Sequence, residues 1–188
     1  VTADVTASPS GAYTNFVGGL VGYVAEATSE VSFTNSAVTA NLTYDNSTTT
    51  KDCTCLGGVI GMVGAATTPA PVIKFDNVTV GGSITDKHTG SNSRVGGLIA
   101  EVGAKDNSAS VVPNKISITN VNINALTINS SGKSNSGGFL GHNWYRVEID
   151  LSSLNVNNSS LTVNNGTDLG GLVLSTTGYW SIKEVSFD

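Results

Sequence analysis

Val17-Gly18-Gly19-Leu20-Val21-Gly22, followed after a short polar stretch by Val31-Ser32-Phe33-Thr34-Asn35, decides how this chain is read. The pair returns as Leu56-Gly57-Gly58-Val59-Ile60-Gly61 with Ile73-Lys74-Phe75-Asp76-Asn77, and as Val95-Gly96-Gly97-Leu98-Ile99 with Ile116-Ser117-Ile118-Thr119-Asn120. A fourth copy reads Gly137-Gly138-Phe139-Leu140-Gly141 with Ile149-Asp150-Leu151-Ser152-Ser153. A fifth, shorter copy reads Leu169-Gly170-Gly171-Leu172-Val173 with Trp180-Ser181-Ile182. Gly-Gly pairs recurring roughly every 33 to 41 residues are the mark of a repeat architecture.

Within each repeat the apolar residues alternate with polar ones, as in Val31-x-Phe33, Ala40-x-Leu42-x-Tyr44, Ile116-x-Ile118 and Val147-x-Ile149-x-Leu151. The period is two, β-branched residues dominate, and no stretch holds a three-four spacing for two turns, so almost no helix is expected. Short two-faced strands cannot bury an apolar side alone; stacking equivalent strands of successive repeats gives them a common core. Each Gly-Gly then falls at a corner where positive φ or close backbone approach excludes a Cβ. Asn35, Asn77 and Asn120 fall at a second, inward corner, where their amides bond from turn to turn and Asn tolerates the left-handed conformation. Ser153 stands in that position in the fourth repeat, so the ladder weakens there. The expectation is an all-β chain: a parallel β-helix (β-solenoid) of about five coils. It forms one repeat-built domain over residues 1–188, with repeats starting near 17, 56, 95, 136 and 169. An antiparallel β-sandwich with internal similarity is the alternative.

The segments between these strands are polar and differ from copy to copy. Residues 25–30, 65–72 and 104–115 read as loops, and Pro69, Pro71 and Pro113 are confined to them. Val1–Ala7 alternates like the end of a repeat, so the chain reads as starting partway through one. It is then a section of a longer array, or it offers a free strand to a neighbouring molecule.

Composition narrows the function classes. Only 12% of residues are charged, the net charge is −5 and the pI about 4.8, and the basic residues are scattered singly, which argues against nucleic acid as a partner. No segment is apolar for long enough to span a bilayer as a helix. Cys53 and Cys55 lack the second half of a zinc site; they read as two small residues before a turn or, in an exported protein, as a disulfide candidate strained by its spacing. No metal site or cofactor is expected.

The Gly-Gly-Leu-Val-Gly cores with their apolar-x-Phe/Ile-x-Asn strands resemble the GLUG-type repeats of extracellular proteins, best over residues 17–43 and 56–85. Ala100 departs from the pattern where a glycine closes the core, and the fifth copy lacks the Asn. The resemblance implies a secreted or surface-attached protein, often adhesive, with a repetitive β architecture, and it carries no catalytic residues. The expected function is therefore a non-enzymatic extracellular building block: a section of a surface adhesin, or a subunit of a surface filament. Its partner would be itself, end to end or by strand donation, or neighbouring repeats.

One constellation suggests chemistry. Arg146, Glu148 and Asp150 share the outer face of a strand, with His142, Trp144 and Tyr145 just before them. Two carboxylates beside an arginine could act on a polysaccharide as a lyase or hydrolase, and aromatic rings make platforms for sugars. The plainer reading is a solvated charge stripe. Tyr179 and Trp180 read as a cap on the last coil, and His88 as surface. Sequons at Asn41, Asn46, Asn77, Asn129, Asn157, Asn158 and Asn165 are glycosylation candidates if the protein is exported from a eukaryotic cell, with Asn77 the least accessible.

Overall fold

The computed structural model describes residues 1–8, 14–25, 30–46, 53–64, 72–88, 92–103, 114–131, 134–143, 147–164, 168–171, 179–182 and 184–187. Of the loops assigned at 25–30, 65–72 and 104–115, residues 26–29, 65–71 and 104–113 lie outside them, as do all the prolines, while Glu30, Val72, Asn114 and Lys115 belong to strands instead. The chain is a parallel β-helix. A lone strand, β1 (Thr2–Ala7), precedes the first coil, which consists of β2 (Thr14–Gly18), β3 (Val21–Val24) and β4 (Glu30–Tyr44). The second coil holds β5 (Cys53–Gly57), β6 (Ile60–Val63) and β7 (Val72–Asp86); the third, β8 (Asn92–Gly96), β9 (Ile99–Val102) and β10 (Asn114–Ser130). In the fourth, β11 (Ser134–Gly137) and β12 (Leu140–Asn143) lead into three short strands, β13 (Val147–Leu151), β14 (Leu154–Asn157) and β15 (Ser160–Val163). The fifth holds β16 (Asp168–Gly170), β17 (Tyr179–Ile182) and β18 (Val185–Phe187). Every strand pairing among the described residues is parallel, which removes the antiparallel sandwich.

The glycine pairs lie directly above one another. Gly18 is in register with Gly57, Gly57 with Gly96, Gly96 with Gly137, and Gly137 with Gly170. The second glycine of each pair donates to the first glycine of the next: Gly19 N to Gly57 O at 3.2 Å, Gly58 N to Gly96 O at 3.1 Å, Gly97 N to Gly137 O at 3.3 Å. Close approach, not positive φ, demands glycine here. A Cβ on Gly58 would run into the carbonyl oxygen of Gly97, and one on Gly97 into that of Gly138.

The long strands differ from the short pieces that alternation predicts. β4, β7 and β10 run for 15, 15 and 17 residues, because Asn35, Asn77 and Asn120 turn the corner in one left-handed residue (φ 48°, 56° and 51°) while pairing continues on both sides. Asn77 Nδ2 donates to Asn35 Oδ1 at 2.7 Å, and Asn120 Nδ2 to Asn77 Oδ1 at 3.0 Å. The ladder is on the outside, not turned inward: all three asparagines are exposed. At Ser153 it ends, the strand breaks into β13 and β14, and the backbone bridges the corner with Ser152 N to Ile118 O and Val121 N to Ser153 O.

Inward positions form apolar columns that run through the stack. Ile73, Ile116 and Ile149 make one, Leu42, Ile84 and Ile128 another, and each is at most 2% exposed. Phe33 and Phe75 stack at 5.0 Å between ring centres in a third. Each such side chain contributes about 2 kcal/mol on burial, and most of that is realised only when the neighbouring coil is present. Leu20 (36% exposed) and Tyr23 (41%) lie at the N-terminal end, where no described coil covers them.

Candidate functional site

The charge stripe chosen from sequence has the expected orientation. Val147, Ile149 and Leu151 are buried, while Glu148 is half-buried and Asp150 exposed on the opposite face. Trp144, Tyr145 and Arg146 lie outside the described residues. Glu148 Oε2 is 3.7 Å from Lys115 Nζ, its registered neighbour in the previous coil. On the same face Lys74 bonds Glu30 at 2.8 Å, and the Lys74 and Ser32 bonds hold the Glu30 carboxyl below its ordinary value. This is a set of exposed ion pairs between coils, screened by solvent and weak contributors to stability. His142 belongs elsewhere.

That second place is the arch made by the first and third Gly-Gly turns, where the residue two before the first glycine faces the residue five after it. In the first coil Phe16 and Tyr23 stack there at 5.1 Å. In the third, Arg94 Nε lies 2.7 Å from Glu101 Oε2, with side chains 11% and 5% exposed. Cys55, directly beside Arg94 in the sheet, is fully buried, with its Sγ 3.9 Å from the same Glu101 oxygen. His142, registered on Glu101, has its pKa lowered to about 4, first by burial and then by the positive charge of Arg94. Sequence reading missed the Arg94–Glu101 pair. The signal was there in the common offset from the glycine pair. The disulfide candidate also ends here: Cys55 is a thiol, and an extended strand holds residues two apart at about 6.6 Å between Cα atoms, with no bend to bring their sulfurs together. The Cys53 side chain lies outside the described residues.

A third cluster closes the long strands. Asp86, buried, accepts from Ser93 Oγ and Ser130 Oγ (3.0 Å) of the next coil and from His88 N at 2.9 Å. His88 is not surface, as its polar neighbours imply, but fully buried. It meets Tyr44 edge-on at 6.0 Å, and among the described residues neither ring nitrogen has a hydrogen-bond partner. A residue just past a strand end still packs against the adjoining coil, here against Tyr44. Asn46 is itself buried, so its sequon is not presented to solvent. Asn41, Asn77, Asn129 and Asn158 are exposed and Asn157 half-buried; Asn165 lies outside the described residues. Asn77 is more accessible than expected, although its Nδ2 is engaged by Asn35. Tyr179 and Trp180 pair through their backbones with Glu148 and Ile149; their side chains lie outside the description.

Among the described residues no group of three or more His, Cys, Asp or Glu could hold a metal ion, and no helix is long and apolar enough to cross a membrane. What the geometry does offer is edges. Among the described residues, no strand pairs with the outer side of β1, β2 or β3 at one end, or of β12, β15 or β16 at the other. No family model, curated protein or solved structure matches this chain.

Proposed function

We propose that this chain is a non-enzymatic structural element of an extracellular or cell-surface protein, a solenoid section that acts as an adhesive scaffold or as a filament subunit. One observation carries the reading: the interior is a continuous apolar column enclosed by stacking, with sheet edges at both ends that no strand among the described residues covers. Parallel edges of this kind are templates for further strands. The likeness of residues 17–43 and 56–85 to GLUG-type repeats agrees with a surface location. So does an outer face built of Thr, Ser and Asn, with exposed sequons at Asn41 and Asn129. The acidic, sparsely charged surface favours glycans or further copies of the same fold as contacts.

Labelling of intact source cells with a membrane-impermeant amine reagent tests the location, since Lys74, Lys87 and Lys115 are exposed. The protein is expected in the labelled fraction; confinement to the unlabelled, lysis-dependent fraction would refute the reading.

A further inference from the structure

Among the described residues, coil five leaves one place open. β17 sits on β13 and β18 on β14, but among the described residues no strand sits on β15. Beneath that opening is a cavity of about 170 Å³, lined by Leu126, Ile128, Val156 and Leu161 and by the turns at Gly138 and Gly171. At the other end β1 is, among the described residues, the only strand of its coil, and it occupies the column that β15 continues. Ala7 is registered on Tyr44, Tyr44 on Asp86, Asp86 on Ser130, and Ser130 on Val163. Val5 likewise shares the column of Leu42, Ile84, Ile128 and Leu161.

We propose that β1 of a second copy of this chain pairs in parallel with β15, Val5 on Leu161 and Thr6 on Thr162, and closes the cavity head to tail. The inference rests on the scaffold reading and names the contact it would use. Three features of the two edges agree. First, the inward residues Ala3, Val5 and Ala7 of β1 are half-buried and small, and would cover Leu161 and Val163, which are half-buried on β15. Second, the outward column Thr6, Thr43, Thr85, Asn129 and Thr162 would repeat without a change of character. Third, the free backbone groups match in phase. Within the molecule Thr39 N donates to Val1 O and Asp45 N to Ala7 O, so the odd residues of β1 face β4, and Thr2, Asp4 and Thr6 face outward along the sheet. Asn164 N donates to Ser130 O, so Leu161 and Val163 carry the open groups of β15. In a parallel ladder these alternate sets interlock: Thr6 N–H donates to Leu161 C=O, Leu161 N–H to Asp4 C=O, and Val163 N–H to Thr6 C=O. A slip of one residue would bury Asp4 and Thr6 against the cavity.

The test is a crosslink between two preparations of the full chain, Thr6→Cys and Thr162→Cys, each with Cys53→Ser to remove a competing thiol. Registered residues on neighbouring strands fall within disulfide reach. The mixture should give a covalent dimer on mild oxidation, and neither preparation alone should. Thr6→Pro supplies the second arm. It removes an N–H that β1 does not use within its own molecule, so thermal stability should hold while association measured by sedimentation weakens at least about tenfold. Absence of a crosslink, or association that survives Thr6→Pro, would overturn the strand pairing while leaving the scaffold reading to the cell-labelling result. Amide exchange showing Leu161 and Val163 protected in a dilute monomer would also overturn it, because the edge would then be filled from within.

Discussion

Replacing Gly58 by Ala is the sharpest probe of the stack. A methyl there points at the carbonyl oxygen of Gly97 in the next coil, 3.1 Å from Val80 Cγ1 and 3.2 Å from the Gly97 carbonyl carbon. A side chain could rotate away, but a paired backbone cannot, so the coils must part locally. Overpacking of this kind costs about 1–3 kcal/mol, and the bond from Gly58 N to Gly96 O, 3.1 Å long, is worth about 1 kcal/mol more if lost. The reduced entropy of the unfolded chain returns about 0.5–1 kcal/mol. The net loss should be about 1–3.5 kcal/mol, read from urea unfolding as a lower midpoint at unchanged slope. Gly171→Ala is the control, because a Cβ there meets nothing within 4 Å. It should be neutral or slightly stabilising. Equal effects at the two positions, or a Gly58→Ala variant as stable as the parent, would refute the argument that coil spacing is what selects glycine.

Other perturbations follow from the same geometry. Glu101→Ala leaves the Arg94 guanidinium buried without its carboxylate and should cost about 3–5 kcal/mol, whereas Arg94→Met with Glu101→Leu should recover most of it; denaturation of both variants decides. Asn77→Ala loses the 2.7 and 3.0 Å ladder bonds and places a Cβ-bearing residue without a local hydrogen bond at φ 56°, so about 2 kcal/mol should go. Asn77→Gly, which tolerates that φ, should lose about half as much. His142 binds its proton more weakly folded, at about 4 against 6.5, so the unfolded state holds the extra proton between those values. Stability should be full above pH 6.5 and fall toward pH 4 by up to about 2 kcal/mol once partial exposure is allowed for. Arg94 and Glu101 face the ring, and His142→Gln should flatten the profile, as pH-dependent melting would show.

The period-two alternation and the recurring glycine pairs made the fold legible, because burial and coil spacing act on single residues at fixed offsets. The Asn corner was legible for the same reason, a backbone torsion few other residues accept. Its outward direction was not, since a left-handed residue marks a bend without saying which side is solvent. Arg94 and Glu101 were hidden because a polar residue in an alternating strand reads as exposed, and only the tight arch between two sheets puts both sides of β8 and β9 under cover. His88 was misjudged for its composition alone: buried polarity at a strand end is set by the coil above it. Glu148 and Asp150 were placed on the correct face, but the Lys115 contact that balances Glu148 needed the register.

The third coil carries one residue more than the second between Ile123 and Leu126, and Asn124 with Ala125 stands opposite Gly81. Alignment resumes at once, and the fourth coil inherits the new corner, Asn158 taking the left-handed turn as Ala125 does (φ 48° and 53°). The extra residue is therefore accommodated at one corner and kept by the next coil, without shifting the strands on either side. A coil can be lengthened by one residue at such a bend without retuning the strands around it, which makes the stack a ruler whose divisions need not be equal.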